Sequence, residues 1–413
     1  MTSTTKEKPV FVGPILPAKR IISLDALRGV AIMGVLAANI QIFSMIKAAE
    51  FNPTAFGDMT GINYVIAMLT HILVCRKFWT IFTMLFGAGI VLMTEKIESR
   101  GGNPAKRHYP RMIWLFVIGS AYVYIFAPAE ILSYYAICGL FAYFCRKLSA
   151  RKLLIYGLIC LFLPSLLDIS MQVRTRSPYG LEYQKQQWQP DQEHIEEELA
   201  RYRGDWGDQI AYRVKTRRWF ITPGFYYWNM WSFLGRMLLG MAFFKWGLLT
   251  AKARKKIFRR LLLFGLGIGL AICVSGWIFN SLVKWSYKYS VLLGTQFNTW
   301  GGLFLAVGYI AAVMLICMSG KLKRLTTRLA AVGRMALTNF LMHGIIGTFI
   351  FHGFGLGLVG KVDRYGQILI VFAIWIFQLW YSPIWLKYFR FGPAEWLWRS
   401  LTYWKLQPMK KEV

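Results

Sequence analysis

Long apolar segments alternate with short polar segments along almost the whole of this 413-residue chain. Ten of the apolar segments contain about 17 residues or more, the length that a helix needs to cross a bilayer. Soluble domains do not contain such segments in succession. The pattern therefore predicts an all-α fold, a polytopic transmembrane helix bundle with about ten spans. The spans are expected at 22–46, 78–95, 111–127, 131–147, 152–169, 224–248, 258–281, 291–318, 333–353 and 366–387.

A shorter apolar stretch at 60–74 precedes the second span. At this length it either lies in the membrane interface or extends the second span into one long helix. The first span follows a polar arm at 1–20 and is too long for the apolar part of a cleaved signal peptide. We therefore expect the first span to be retained in the protein.

The charged residues between the spans predict the orientation of the bundle. Basic residues concentrate at 96–111, 146–152, 252–260 and 321–334, which all fall on one side if there are ten spans. The segment 170–223 falls on the other side and holds eight of the 19 acidic residues beside nine basic ones. By the positive-inside rule, both termini should be cytoplasmic and 170–223 extracytoplasmic.

The same pattern divides the chain into five regions. They are a cytoplasmic arm at 1–20, an N-terminal membrane bundle of about five spans at 21–169, the extracytoplasmic loop at 170–223, a C-terminal membrane bundle of about five spans at 224–388, and a basic, aromatic cytoplasmic tail at 389–413.

Within the extracytoplasmic loop, residues 191–203 should form a short polar helix, because Pro190 precedes this stretch and Gly204 follows it. The loop contains no cysteine, so no disulfide constrains it. Two interpretations of the loop remain open: it is a lid over a site, or it is a spacer between the two bundles.

The net charge of +30 raises the question of a nucleic-acid partner. The basic residues, however, cluster between the spans, and no nucleic-acid-binding motif is present. They predict contact with anionic lipid headgroups of the bilayer and no nucleic acid. The six cysteines lie in or beside apolar segments and form no CxxC pair, and the histidines lack metal-ligand spacing. We therefore expect neither a disulfide framework nor a metal site.

The first span carries three polar residues on one face. Asp25, Arg28 and Asn39 fall along a single stripe at 100° per residue. Such a stripe should face other helices or a water-filled cavity, because a charged side chain in lipid costs several kcal/mol. Asp25 and Arg28 are either an ion pair that fixes helix packing or part of a site in which Arg28 holds an anionic group at the cytoplasmic mouth.

Arg236 lies near the middle of the sixth span, where its side chain cannot easily reach water. A cation at this depth needs an anion nearby. The candidates are Asp25, Glu130, Asp168 and a bound phosphate or carboxylate.

Two further residues are candidates for proton transfer. Glu130 opens the fourth span and is either a helix cap or a general base on the outer face. His343 lies inside the ninth span and shares a helix face with Asn339, four residues earlier. It is either a general base or a donor in an interhelical hydrogen bond.

Four segments together resemble the bacterial YeiB-like membrane proteins, which are built around domain of unknown function 418. They are Ser-Leu-Asp-Ala-Leu-Arg-Gly at 23–29, Lys77-Phe78 continuing to Leu-Phe-Gly-Ala-Gly at 85–89, Glu-Ile-Leu at 130–132 with Tyr135-Ala136, and Gly-Arg-Met-Ala-Leu-Thr-Asn at 333–339 continuing to Gly-Pro-Ala-Glu-Trp-Leu-Trp-Arg at 392–399. The resemblance covers nearly the whole chain and implies a multi-pass protein of the bacterial cytoplasmic membrane.

The Asp-x-x-Arg-Gly opening is also similar to that of transmembrane acyltransferases, including the acyltransferase-3 and lysosomal heparan acetyltransferase groups. This resemblance implies transfer of an acyl group from a cytoplasmic donor to an extracytoplasmic glycan or lipid acceptor. Acyl-CoA would be the co-substrate, with no tightly bound cofactor. Asp25, Glu130 and His343 would then be the catalytic candidates, and Arg28, Asn39, Arg236 and Asn339 would bind donor or substrate.

Two positions depart from the YeiB-like pattern. The family usually has Asp in place of Glu130 and often has Gln in place of His343, so His343 is not implied as a base for the whole family. An alternative function is a transporter or lipid-handling protein, in which the same buried charges bind a substrate or relay protons. A third is a membrane scaffold in which the charges are structural.

Overall fold

The computed structural model describes residues 21–126, 131–174, 185–216 and 229–411, and these residues are almost entirely helical. Apart from an isolated bridge between Phe389 and Lys410, the described residues form no β-structure. The principal helices are α1 (Ile22–Ser44), α2 (Gly61–Leu69), α3 (Lys77–Glu98), α4 (Ala105–Ile125), α5 (Leu132–Cys145), α6 (Ala150–Arg174), α7 (Gln192–Arg203), α8 (Trp206–Thr216), α9 (Met230–Lys245), α10 (Lys255–Leu282), α11 (Thr295–Ser319), α12 (Lys323–Arg334), α13 (Ala336–Phe351), α14 (Arg364–Tyr388) and α15 (Pro393–Tyr403).

Within the described residues, six helical segments are long and apolar enough to cross a membrane by themselves: Ile22–Ser44, Gly61–Glu98, Ala150–Ser170, Lys255–Leu282, Tyr287–Ser319 and Arg364–Tyr388. The pair α12 and α13, bent by 78°, makes a seventh if it counts as one span. The other predicted spans lie on α4, α5 and α9. The first of these helices begins with several basic residues, and the other two are only 14 and 16 residues long.

The second span is one long interrupted helix. Residues 60–74 continue toward α3, so that Gly61–Glu98 extends over 38 residues. Of the two interpretations of this stretch, the structure shows the long helix. A π-helical turn at Thr70–Val74 precedes the interruption, and Arg76 adopts a left-handed conformation with φ of 67°. The interruption releases backbone carbonyls from helical hydrogen bonding, which makes them available to side chains.

Helix α1 lies at the centre of the bundle, where it packs against α3, α12 and α13. Close helix contacts depend on glycine. A Cβ atom at Gly240 of α9 would lie 1.9 Å from the carbonyl oxygen of Met84 in α3, and one at Gly333 of α12 would lie 1.9 Å from the carbonyl oxygen of Asp25. Small residues allow such approach of membrane helices, whose association depends on packing more than on the hydrophobic effect.

The short polar helix predicted in the extracytoplasmic loop is confirmed as α7. It begins after Asp191, whose carboxylate accepts a hydrogen bond from the backbone N–H of His194 at 2.9 Å. It ends at Gly204, as the sequence predicts. The Asp191 side chain thus satisfies one of the free N–H groups of the first turn.

Candidate functional site

A cavity of about 920 Å³ lies at the end of the bundle where α1 ends, and we call it the large cavity. Its walls come from α1, α5, α6 and α9, from the segment Lys47–Glu50 after α1, from the interruption before α3, and from Ser290–Thr299 at the start of α11. The size is within the range of sites for drug-sized molecules.

Arg236 of α9 is the most deeply buried cation of the large cavity, with 2% of its surface exposed. Its Nε donates to the hydroxyl of Thr80 at 3.0 Å, and its Nη1 donates to the carbonyl and the hydroxyl of Ser232. The guanidinium also lies 4.6 Å from the centroid of the Trp79 ring. Within the described residues no carboxylate forms an ion pair with it.

Arg76 is the second arginine of this wall. Its Nη1 donates to the hydroxyl of Thr299 at 2.6 Å. Asp168 and Glu50 line the same cavity and lie near enough to Arg76 to attract it electrostatically. Arg236, by contrast, has Arg76 as a charged neighbour and is repelled by it. A bound anion would relieve this repulsion.

A buried polar network supports the wall behind Arg76. Lys77 is fully buried, and its Nζ donates to the backbone carbonyl of His71 at 2.9 Å and to the side-chain carbonyl of Asn298. The amide nitrogen of Asn298 donates to the same carbonyl of His71 at 3.2 Å. The interruption of the second span thus supplies the acceptor that compensates for burial of Lys77.

Aromatic side chains form the apolar part of the large cavity. Phe233 lies between Trp79 and Tyr134, with ring centroids 5.1 and 5.3 Å away. Trp188 and Trp285 line the cavity near His71, and the indole N–H of Trp188 donates to the carbonyl of Trp285 at 2.7 Å. Cationic and aromatic walls together suit a ligand with an anionic head and an apolar body.

Residues 185–216 cover the large cavity, and we call them the roof. Trp188, Glu198 and Tyr202 are among the roof residues that line it. The carboxylate of Glu198 accepts from the backbone N–H of Lys47 at 2.9 Å, and the carbonyl of Tyr202 accepts from the N–H of Gly353 at 2.9 Å. Of the two interpretations of the loop, this placement favours the lid.

Two of the predicted site residues, Asn39 and Arg236, line the large cavity. Asp25 and Arg28 do not, because they lie near the other end of α1, roughly 21 and 16 Å from Asn39 along the helix axis at 1.5 Å per residue. They form an ion pair, with 3.0 Å between Asp25 Oδ1 and Arg28 Nη1. Glu130 lies outside the described residues.

His343 and Asn339 also lie away from the large cavity. Both are residues of α13 whose side chains face α14. The side-chain amide nitrogen of Gln378 lies 2.7 Å from Nε2 of His343, a geometry in which the amide donates and the imidazole accepts. The amide of Asn339 donates to the carbonyl of Val332 at 3.1 Å and to the hydroxyl of Ser382 at 3.4 Å. Both residues therefore make interhelical contacts in this structure.

Sequence reasoning did not identify Glu50, His71 and Arg76 as parts of the site. They lie in a short connection and at a helix interruption, so their positions depend on tertiary packing. The one available signal was the pair Arg76-Lys77, two cations between apolar segments. In the described ranges, no group of three or more His, Cys, Asp or Glu side chains is arranged to hold a metal ion.

Comparison with known proteins places this architecture in a family. The uncharacterised protein YxaH of Bacillus subtilis (strain 168) is 30% identical over 412 residues, covering 97% of this chain and 98% of the relative. The model of the family described as "Protein of unknown function (DUF418)" matches residues 243–405. The chain belongs to the YeiB-like DUF418 family.

Other relatives also match along nearly their whole length. The uncharacterised protein YeiB of Escherichia coli (strain K12) is 29% identical over 396 residues, covering 93% of this chain and 96% of the relative. An uncharacterised 39.9 kDa protein of Bacillus acidopullulyticus is 26% identical, with 97% and 99% covered. The family-model match runs from the end of α9 through α15, whereas most of the large cavity comes from elements before it.

Proposed function

We propose that this multi-pass DUF418 protein crosses the bacterial cytoplasmic membrane ten times, with both termini cytoplasmic. The predicted spans correspond in order to α1, the long helix Gly61–Glu98, α4, α5, α6, α9, α10, the segment Tyr287–Ser319, the bent pair α12–α13, and α14. Basic connections such as 96–111 and 252–260 lie on the side where α1 begins, which supports its cytoplasmic location. A reporter inserted between Pro190 and Asp191 should then signal from outside, and a cytoplasmic signal would contradict this topology.

Within that topology, the large cavity opens toward the extracytoplasmic side and binds an amphipathic anion. The supporting observation is Arg236, a buried cation that lines the cavity and has no carboxylate ion-pair partner in the described part of the chain. Leaving a buried charge uncompensated costs several kcal/mol, which a bound phosphate or carboxylate would offset. The aromatic wall around Phe233 would hold the apolar part of the same molecule.

We infer a lipid-handling or transport role for this cavity. An interrupted span beside a ligand cavity is a common arrangement in transporters, because the interruption exposes polar backbone groups at membrane depth. Here the interruption at Arg76 forms one wall, and the roof covers the outer side. Exchange of the ligand would require the roof contacts at Glu198 and Tyr202 to open.

Acyl transfer is the second candidate. What favours it is the arrangement of cations at both ends of α1: Arg28, about a quarter exposed, near the cytoplasm and Arg236 in the large cavity. The donor, an acyl-CoA, would approach Arg28, and the acceptor hydroxyl would lie in the cavity. A base would take the hydroxyl proton as the oxygen attacks the thioester carbonyl. The C–S bond would then break, and the base would return the proton to the leaving thiolate, which departs as the coenzyme A thiol. Glu50 or His71, which line the large cavity, would serve as this base; His343 does not line the cavity.

Ligand binding by full-length protein in phosphatidylcholine nanodiscs tests the main proposal. The probe is a short-chain fluorescent phosphatidylglycerol, with the matched diacylglycerol as the neutral comparison. Wild type should bind the anionic probe at least about tenfold more tightly, and Arg236→Gln should lose that preference. Arg259→Gln removes an exposed cation and should bind as wild type. Equal binding of both probes by wild type would disprove the proposal.

The same samples separate the two candidate functions. Acyl-CoA hydrolysis or transfer that disappears in Arg28→Ala would favour acyl transfer. Probe exchange without consumption of acyl-CoA would favour lipid handling.

A further inference from the structure

A second cavity, of about 10 Å³, lies between α3 and α4, toward the end of the bundle where α1 begins. We call it the small cavity. His108 and Arg111 of α4 line it together with Gly89 of α3. His108 is fully buried, and its Nε2 lies 3.0 Å from the carbonyl of Gly139, to which it donates. Its Nδ1 has no hydrogen-bond partner. The basic segment around this residue suggests solvation, but α4 begins at Ala105 and carries His108 into the bundle.

Arg111 is the second polar group with incomplete hydrogen bonding. Its Nε is buried without a partner, and its Nη1 contacts the sulfur of Met93 at 3.2 Å. Its guanidinium lies 4.3 Å from the centroid of the Trp398 ring, which shields it from solvent. Among the described side chains, Arg111 forms no ion pair and no hydrogen bond to oxygen. A guanidinium with five donors is poorly satisfied by these contacts.

Positive charge surrounds Arg111. Arg28 and Arg399 lie close enough to repel it electrostatically. Arg28 lies beside Gly89, which lines the small cavity: a Cβ atom at Gly89 would lie 3.8 Å from Arg28 Nη2. Three arginines thus converge from α1, α4 and α15, and the carboxylate of Asp25 forms its ion pair with Arg28. Such a cluster of arginines is stabilised most by binding a multiply charged anion.

We propose that Arg28, Arg111 and Arg399 bind the phosphate group of a ligand at this end of the bundle. The small cavity has room for one oxygen-sized atom, which would accept from Nε of Arg111. The remaining phosphate oxygens would face Arg28 and Arg399. The phosphate can belong to a lipid headgroup or to a soluble compound, and the chemistry of recognition is the same.

This phosphate site stands apart from the large cavity, because the two lie at opposite ends of α1. The two sites are separated by Arg236→Gln, which should reduce lipid binding at the large cavity and leave binding at this site unchanged. Full-length protein in phosphatidylcholine nanodiscs is titrated with radiolabelled pyrophosphate. In a second arm, anionic phosphatidylglycerol is added to the nanodiscs, and retained lipid is measured by native mass spectrometry. If the lipid displaces pyrophosphate, the site binds a lipid headgroup. If the lipid does not displace pyrophosphate, the site binds a soluble ligand.

Wild type should bind pyrophosphate or retain phosphatidylglycerol, and Arg111→Gln and Arg399→Gln should each weaken that binding at least about tenfold. Arg107→Gln is the matched control: it removes the same charge one turn earlier on α4, where the guanidinium lies over Tyr403. It should change binding less than about twofold. If Arg111→Gln does not fold, Arg399→Gln, which changes a residue on a different helix, decides the outcome.

Two results would overturn the proposal. One is the absence of both pyrophosphate and lipid binding in wild type, which would mean that the small cavity holds only water. The other is an equal loss in Arg107→Gln, which would mean that net charge, rather than this cluster, attracts the anion.

Discussion

Glu395 holds Thr338 through both of its carboxylate oxygens. Oε1 accepts from the backbone N–H of Thr338 at 3.1 Å and from that of Leu337 at 2.6 Å, and Oε2 accepts from the Thr338 hydroxyl at 2.6 Å. A residue of α15 therefore caps α13 at the 78° bend after α12. This contact joins two segments that are distant in sequence, 333–339 and 392–399.

Removal of this cap should destabilise the C-terminal bundle. Glu395→Ala leaves two backbone N–H groups and a hydroxyl without their acceptor, and we expect a loss of about 1–3 kcal/mol. The measurement is the thermal unfolding midpoint in detergent. Glu193→Ala, which changes an exposed acid in α7, is the control and should leave the midpoint unchanged. A midpoint for Glu395→Ala equal to that of the control would contradict the capping role.

Arg236 should contribute to binding more than to stability. Arg236 is a buried cation that lacks an ion-pair partner among the described residues. Its replacement by an apolar side chain of similar length removes a desolvation cost. We expect Arg236→Met to unfold within about 1 kcal/mol of wild type or at higher temperature, while its affinity for the anionic probe falls about tenfold or more. Parallel melting and binding curves check this. A strongly destabilised Arg236→Met would instead indicate a structural role.

Glu50 should make binding at the large cavity depend on pH. Burial raises the pKa of Glu50 to about 7, against the opposing effect of Lys47 and Arg76. Below this pH the carboxyl group is protonated and neutral, and above it the group is an anion beside Arg76. Affinity for a phosphodiester-headed probe should therefore decrease as pH rises from about 6 to about 8, by up to about tenfold. The probe keeps its charge over this range.

The control for this pH dependence is Glu50→Gln. It should bind with an affinity that changes little over the same range and stays near the low-pH value of wild type. If the wild-type pH dependence persists in Glu50→Gln, another group is responsible.

The contact between α3 and α9 should not tolerate a side chain at position 240. A Cβ atom there would lie 1.9 Å from the Met84 carbonyl, so Gly240→Ala requires the helices to separate. We expect a loss of about 1–3 kcal/mol. Gly267→Ala, in a helix and with no heavy atom within 4 Å of the new Cβ, should be neutral or slightly stabilising. Equal midpoints for the two variants would show that the interface is easily adjusted.

The sequence predicted the parts of this protein that depend on local pattern. The apolar runs indicated the helices, the flanking Pro190 and Gly204 indicated α7, and the three-residue spacing indicated the contact between Asp25 and Arg28. These features depend on periodicity and neighbours along the chain.

The composition of the site could not be predicted in the same way. Asn39 and Arg236 do line one cavity, but His343 faces Gln378 instead, because the bend before α13 determines which way that helix face points. Glu50 and Arg76 enter the site from a connection and an interruption. From the sequence, a polar residue in an apolar segment can be expected to have a polar partner. The sequence does not show which residue that partner is.

Helix α1 extends from one proposed anion site to the other. Asn39 lines the large cavity, and Arg28 lies beside Gly89 of the small one, on a single uninterrupted helix of 23 residues. If ligand binding at either end shifts this helix, the affinity at the other end changes, and thermodynamic reciprocity requires the same factor in both directions. Titration of the lipid probe with and without saturating pyrophosphate should therefore reveal a coupling free energy between the two cavities, and the absence of coupling would show that α1 stays fixed.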